Sequence, residues 1–95
     1  MEKINLVCSA RLKKYLAITE KAFKIAGKSI NKDKKNEAEE ILKMVSCYLQ
    51  DSKHFQKHRH FVNAFACINY AHGWLDAGSR LGIFNVKDNK LFVIR

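Results

Sequence analysis

The sequence predicts an all-α fold: an up-down-up antiparallel three-helix bundle, finished by a short C-terminal β-hairpin or an extended tail. Three observations carry the prediction. Apolar residues recur at steps of three and four along three separate stretches. Two polar interruptions, NKDKKN (31–36) and DSKHFQKHRH (51–60), separate those stretches. Beyond Gly82 the helical period gives way to short β-prone runs around a polar KDN centre. A chain of 95 residues holds one core, since at that size roughly 60–65% of the unfolded surface is buried. Residues 1–95 are therefore expected to form one domain, and the absence of proline and of any Gly/Ser-rich linker agrees with this.

The first helix is expected over about 4–29. Its apolar stripe runs Ile4, Cys8, Leu12, Tyr15, Ala22, Phe23 and Ala26, with Ile30 just beyond. The opposite face carries Lys3, Lys13, Lys14, Lys21, Lys24 and Lys28, with Glu20 alone to offset them. The second helix is expected over about 34–56. Asp33, Glu37, Glu39 and Glu40 gather at its start, where the helix dipole favours negative charge. Its stripe is Ala38, Ile41, Leu42, Val45, Tyr48 and Leu49, followed by a turn within 51–60.

The third helix, about 59–81, differs from the others, because Asp76 is its only charged residue between Phe61 and Ser79. At about 100° per residue, one arc collects Ala64, Cys67, Ile68, Ala71, Trp74, Leu75 and Gly78, and a second flank collects Ala66, Tyr70, Gly73 and Ala77. A helix apolar over so much of its circumference is expected to touch neighbours on two sides, anchored by Trp74 and approached closely at its glycines. Gly82 suits a left-handed stop. Ile83, Phe84, Val86 and Leu91, Phe92, Val93, Ile94 then read as a hairpin over 83–94, which must lie on the bundle or pair with another chain.

Eighteen Lys and Arg against nine Asp and Glu leave a formal net charge of +9, which favours anionic partners in general. No apolar run approaches the roughly 20 residues of a membrane span, and Arg11, Lys13 and Lys14 stand where a signal peptide would still be apolar. A cytoplasmic location is expected, with no membrane partner. Cys8, Cys47 and Cys67 are odd in number and widely spaced, so they are expected to be reduced and buried. Phosphate-cradling glycine loops, nucleophile elbows, HExxH and CxxC are all missing, which excludes the commoner enzyme classes and implies no cofactor.

Three constellations remain. Asn69, His72, Asp76 and Arg80 form a polar row on the third helix, read as its uncovered edge and as a binding row. Asp76 could orient His72, but no Ser or Cys nucleophile shares the arc, so no catalytic residue is assigned. Asp51, His54 and His58 would share a face if the second helix continued that far. That is a weak pattern for a metal, and none is assigned. Lys13, Lys14, Lys21, Lys24, Lys28, Lys53, Lys57 and Arg59 could follow a phosphate backbone without reading its sequence.

The run YAHGWLDAGSRLG, with Tyr70, Ala71, Gly73, Trp74, Leu75, Asp76, Ala77, Gly78, Arg80, Leu81 and Gly82 in order, resembles the signature of the archaeal domain of unknown function 357 family. The resemblance implies a three-helix bundle in an archaeal cytoplasmic protein and brings no activity with it. A looser similarity links the chain to HEPN domains, whose ribonuclease members place His five to seven residues after Arg. Arg11, Arg59 and Arg80 all lack that His. The expected function is a non-catalytic interaction or adaptor module that binds another protein or a second copy of itself. The alternative is sequence-nonspecific nucleic-acid binding through the lysines.

Overall fold

The computed structural model describes residues 2–87 and 91–92. Three helices dominate it: α1 (Glu2–Gly27), α2 (Lys35–Lys57) and α3 (Phe61–Arg80), with a short 3-10 turn at Lys32–Lys34 ahead of α2. Cross-helix contacts fix their directions. Ser9 and Lys13 of α1 share a cavity with Gln56 and Lys57 of α2, whereas Phe23 and Lys24 share one with Ser46 and Leu49, so those two run antiparallel. Ser52 reaches Ala64 near the start of α3, whereas Ile41 approaches Gly78 near its end, so α2 and α3 are antiparallel as well. Tyr15 meets Phe65 and Thr19 meets His72, so α1 and α3 are parallel. The bundle runs up, down and up, as the periodicities predict.

The core draws Leu12, Leu16, Ala22 and Ala26 from α1, and Ala38, Ile41, Val45 and Leu49 from α2. From α3 come Ala64, Ile68, Ala71 and Leu75, with Ile83, Phe84 and Phe92 closing one side. Helix α3 packs most extensively on α2 and then on α1, while α1 and α2 touch least. Among the described residues no buried hydroxyl lacks a hydrogen-bond partner. Ser52 Oγ donates to the Ala64 carbonyl at 2.9 Å, and Ser79 Oγ donates to Leu75 at 2.8 Å.

Both later helices end in the same left-handed motif. After α3, Gly82 takes φ +74°, its N–H donates to Ser79, and the Ile83 N–H donates to Gly78 at 2.8 Å. After α2, Arg59 takes φ +63°, its N–H donates to Gln56, and the His60 N–H donates to Phe55 at 2.8 Å. Glycine is free in that region, whereas an arginine is strained there. Helix α2 therefore extends through DSKHFQK, and the turn expected within 51–60 shrinks to residues 58–60.

The links at the opposite end are tied to each other. Ile30 and Phe84 form an antiparallel bridge, and Asn85 N–H donates to the Ser29 carbonyl. Asn31 caps the 3-10 turn through Oδ1 and donates from Nδ2 to the Gly82 carbonyl at 2.9 Å. What reads in the sequence as a solvated turn is thus a structural clasp. The expected 83–94 hairpin lies partly outside the described residues. Within them, Phe84 pairs with Ile30 and is buried, and Phe92 is buried against the bundle.

Several expectations about burial need correction. Leu16 and Thr19 are buried where the predicted stripe had Tyr15, which stays 46% exposed. Trp74 is 41% exposed and anchors no core contact of the expected kind. Among the described residues Gly73 permits no close approach, because a Cβ built there meets nothing within 4 Å. Gly78 is the tight one, where a Cβ would stand 2.6 Å from the Phe84 ring. Only Cys67 is buried. Cys8 is half-buried, Cys47 is exposed, and all three thiols are free.

Candidate interaction surfaces

Position on α3 sorts its residues into two apolar arcs, and the bundle covers only one. Ala64, Cys67, Ile68, Ala71, Leu75 and Gly78 point inward. At about 100° per residue, Val62, Ala66, Tyr70, Gly73, Trp74, Ala77 and Leu81 fall within a single outward arc. Val62 is 84% exposed, Tyr70 62% and Leu81 70%. The flank expected to meet a second neighbour inside the chain is open. Between Asn69, Tyr70, Gly73, Trp74 and Ala77 lies a shallow groove of about 340 Å³, floored by the bare backbone at Gly73. Tyr48 of α2 stacks on Tyr70 with ring centroids 5.5 Å apart, which steadies one wall.

The polar row keeps to one arc of α3 but is not uniformly uncovered. His72 is half-buried rather than on an uncovered edge. Its Nε2 lies 2.7 Å from the Leu91 carbonyl and its Nδ1 lies 3.1 Å from Thr19 Oγ1. A carbonyl can only accept, so Nε2 carries a proton and donates; in the neutral ring Nδ1 then accepts from the threonine hydroxyl. Asp76 Oδ1 stands 3.7 Å from Nε2. A hydroxyl, a histidine and a carboxylate therefore come together. However, Thr19 is 1% exposed and its partner imidazole is already committed to the tail carbonyl, so the trio positions structure. Asn69 and Arg80 are exposed. Asn69 lines both the outward groove and a second cleft, of about 250 Å³, with Tyr15, Ile18, Thr19, Ile68 and His72.

Lys13, Lys53, Lys57 and Arg59 surround one concavity of about 410 Å³ that Ser9, Gln56 and Phe61 complete. Lys14, Lys21 and Lys24 are exposed along α1 outside it, and Lys28 is exposed just past the end of that helix. Lys24 shares a separate cleft with Glu20, Phe23 and Lys53. The eight basic candidates are thus one cluster of four and a scattered remainder. The His54 and His58 rings lie tilted to each other with centroids 4.5 Å apart at the end of α2. Asp51 does not join them in a ligand set: among the described residues, no three His, Cys, Asp or Glu side chains stand together as metal ligands. The Cys67 thiol is pushed up from its ordinary pKa, first by burial and then by the negative charge of Asp51.

Sequence reasoning found Tyr70, Gly73 and Ala77 as a flank but assigned them to the interior. It did not connect that flank, Ala66 included, with Val62, Trp74 and Leu81, although the shared arc was legible in their spacing. Ser9, Gln56 and Phe61 carried no signal before the helices were placed. No described helix is long and apolar enough to cross a membrane. A family model described as "Protein of unknown function (DUF357)" matches residues 14–84. No curated protein and no solved structure matches the chain.

Proposed function

The chain belongs to the DUF357 family, and we propose that it is a non-catalytic interaction module that docks an apolar helix of a partner protein on the outward face of α3. The observation that carries this reading is Gly73. A glycine inside a helix costs roughly 0.5–1 kcal/mol relative to alanine, and among the described residues nothing comes near enough to require it. It sits between Tyr70 and Trp74 and beside Ala66 and Ala77, where a second helix could approach backbone to backbone with aromatic anchors on its flanks. Exposed tyrosine and tryptophan are the side chains that carry binding energy at protein interfaces.

Charge selects the partner's character. Each copy carries a net +9, so a second copy is repelled, whereas a helix with acidic flanks is attracted. Free thiols at Cys8 and Cys47 suit a reducing, cytoplasmic setting.

The test places a charge in the groove. Ala77→Glu lies on an exposed helical position and leaves the core untouched. Capture from a native-type lysate with the wild-type chain should retain a stoichiometric protein that Ala77→Glu loses and Lys28→Glu keeps. The same proteins captured by all three would overturn the reading. A wild-type mass of two chains that reverts to one in Ala77→Glu would replace the foreign partner with a second copy.

A further inference from the structure

We infer a second, independent site: the concavity enclosed by Lys13, Lys53, Lys57 and Arg59 binds closely spaced phosphate groups, carried by a nucleotide or by a nucleic-acid backbone. Three separate elements build it. Helix α1 supplies Ser9 and Lys13, the last turns of α2 supply Lys53, Gln56 and Lys57, and the junction with the first turn of α3 supplies Arg59 and Phe61. Four cations line about 410 Å³ and, among the described residues, no carboxylate does. Glu20 touches the site only from outside, holding Lys53 Nζ at 3.4 Å. Ser9 and Gln56 add neutral hydrogen-bonding groups, and Phe61 gives one apolar wall that a sugar or base can lie against.

Arg59 supplies the second, independent observation. It occupies the position after α2 where φ is +63° and where glycine is the favoured residue. A long cationic side chain held in a strained backbone conformation is a feature that folding alone disfavours, and such strain gathers at binding sites. The same backbone turn brings Arg59 into the cavity lining with Lys57. Guanidinium at that point offers a planar fork to a phosphate, with the ammonium groups of Lys13, Lys53 and Lys57 around it.

This geometry also provides an unusually clean test. Arg59→Gly removes the cation and relieves the backbone, so the variant should fold at least as well as the wild type while binding less. Isothermal titration at low salt would use three probes: inorganic pyrophosphate, adenosine triphosphate and an oligothymidylate of about 12 nucleotides. The wild type should bind at one site, with Arg59→Gly and Lys57→Gln each weakening it about tenfold and Lys28→Gln leaving it unchanged. Binding of the two small probes identifies free phosphates as the source. Binding of the oligonucleotide alone, with a log–log salt slope reduced by about one in Arg59→Gly, identifies the nucleic-acid backbone. Absence of binding to all three probes, or equal weakening by Lys28→Gln, would overturn the inference.

Discussion

His72 joins three parts of the molecule through one ring: Thr19 on α1, its own helix α3, and the tail carbonyl at Leu91. Removing it leaves the hydroxyl of Thr19, at 1% exposure, without its partner, which is worth about 1–3 kcal/mol. Trp74 presents the opposite case, since at 41% exposed it cannot return the full ~3–5 kcal/mol of a buried aromatic truncation. Denaturant unfolding should therefore rank His72→Ala as the more damaging of the two. The sequence suggests the reverse order. Amphipathic spacing places a tryptophan in a core and a histidine at its edge, and it carries no information about a tail that folds back over that edge. The cysteines separate in the same way. With Cys67 buried and its thiol pushed up by burial and Asp51, alkylation at neutral pH should modify Cys47 first and Cys67 last. Because the folded state resists ionising Cys67, the stability this gives is present below the ordinary thiol pKa. It is lost as pH rises through the raised folded value.

Among the elements, α3 was the most legible and the most misread. Its inward arc of Ala64, Cys67, Ile68, Ala71, Leu75 and Gly78 follows directly from residue spacing, as do the stripes of α1 and α2 apart from Leu16, Thr19 and Ser52. The two hydroxyl residues among those exceptions have a common physical cause. Threonine and serine read as polar but bury readily once their hydroxyls find a carbonyl or a ring nitrogen, as Ser52 does at Ala64 and Thr19 at His72. The clasp at Asn31 was illegible because its partner, the Gly82 carbonyl, is 51 residues away. The glycines of α3 divide by the same logic of contact. At Gly78 an added methyl would meet the buried Phe84 ring at 2.6 Å and Ile41 at 3.2 Å. Overpacking of that kind costs about 1–3 kcal/mol and outweighs the ~0.5–1 kcal/mol of helix propensity gained. Gly78→Ala should lower the midpoint of thermal unfolding.

At the scale of the whole molecule, one end and one side carry features that the bundle does not need for itself. A neutral, apolar arc runs along α3 in a chain of net charge +9, and the positive groups nearest each other converge on the far end of α2. Composition announced the charge but could not distinguish a clustered cavity from a solvated face, since that depends on how Lys13 of α1 comes to lie against Lys53 and Lys57. The arc of α3 is the central claim, and Gly73→Ala tests it most directly. With open space around the new methyl, the folded chain should gain about 0.5–1 kcal/mol, raising the melting midpoint by several degrees. Partner capture should fall at the same time, because the approaching helix is held off. A variant that is more stable and captures its partner as well as the wild type would contradict the account.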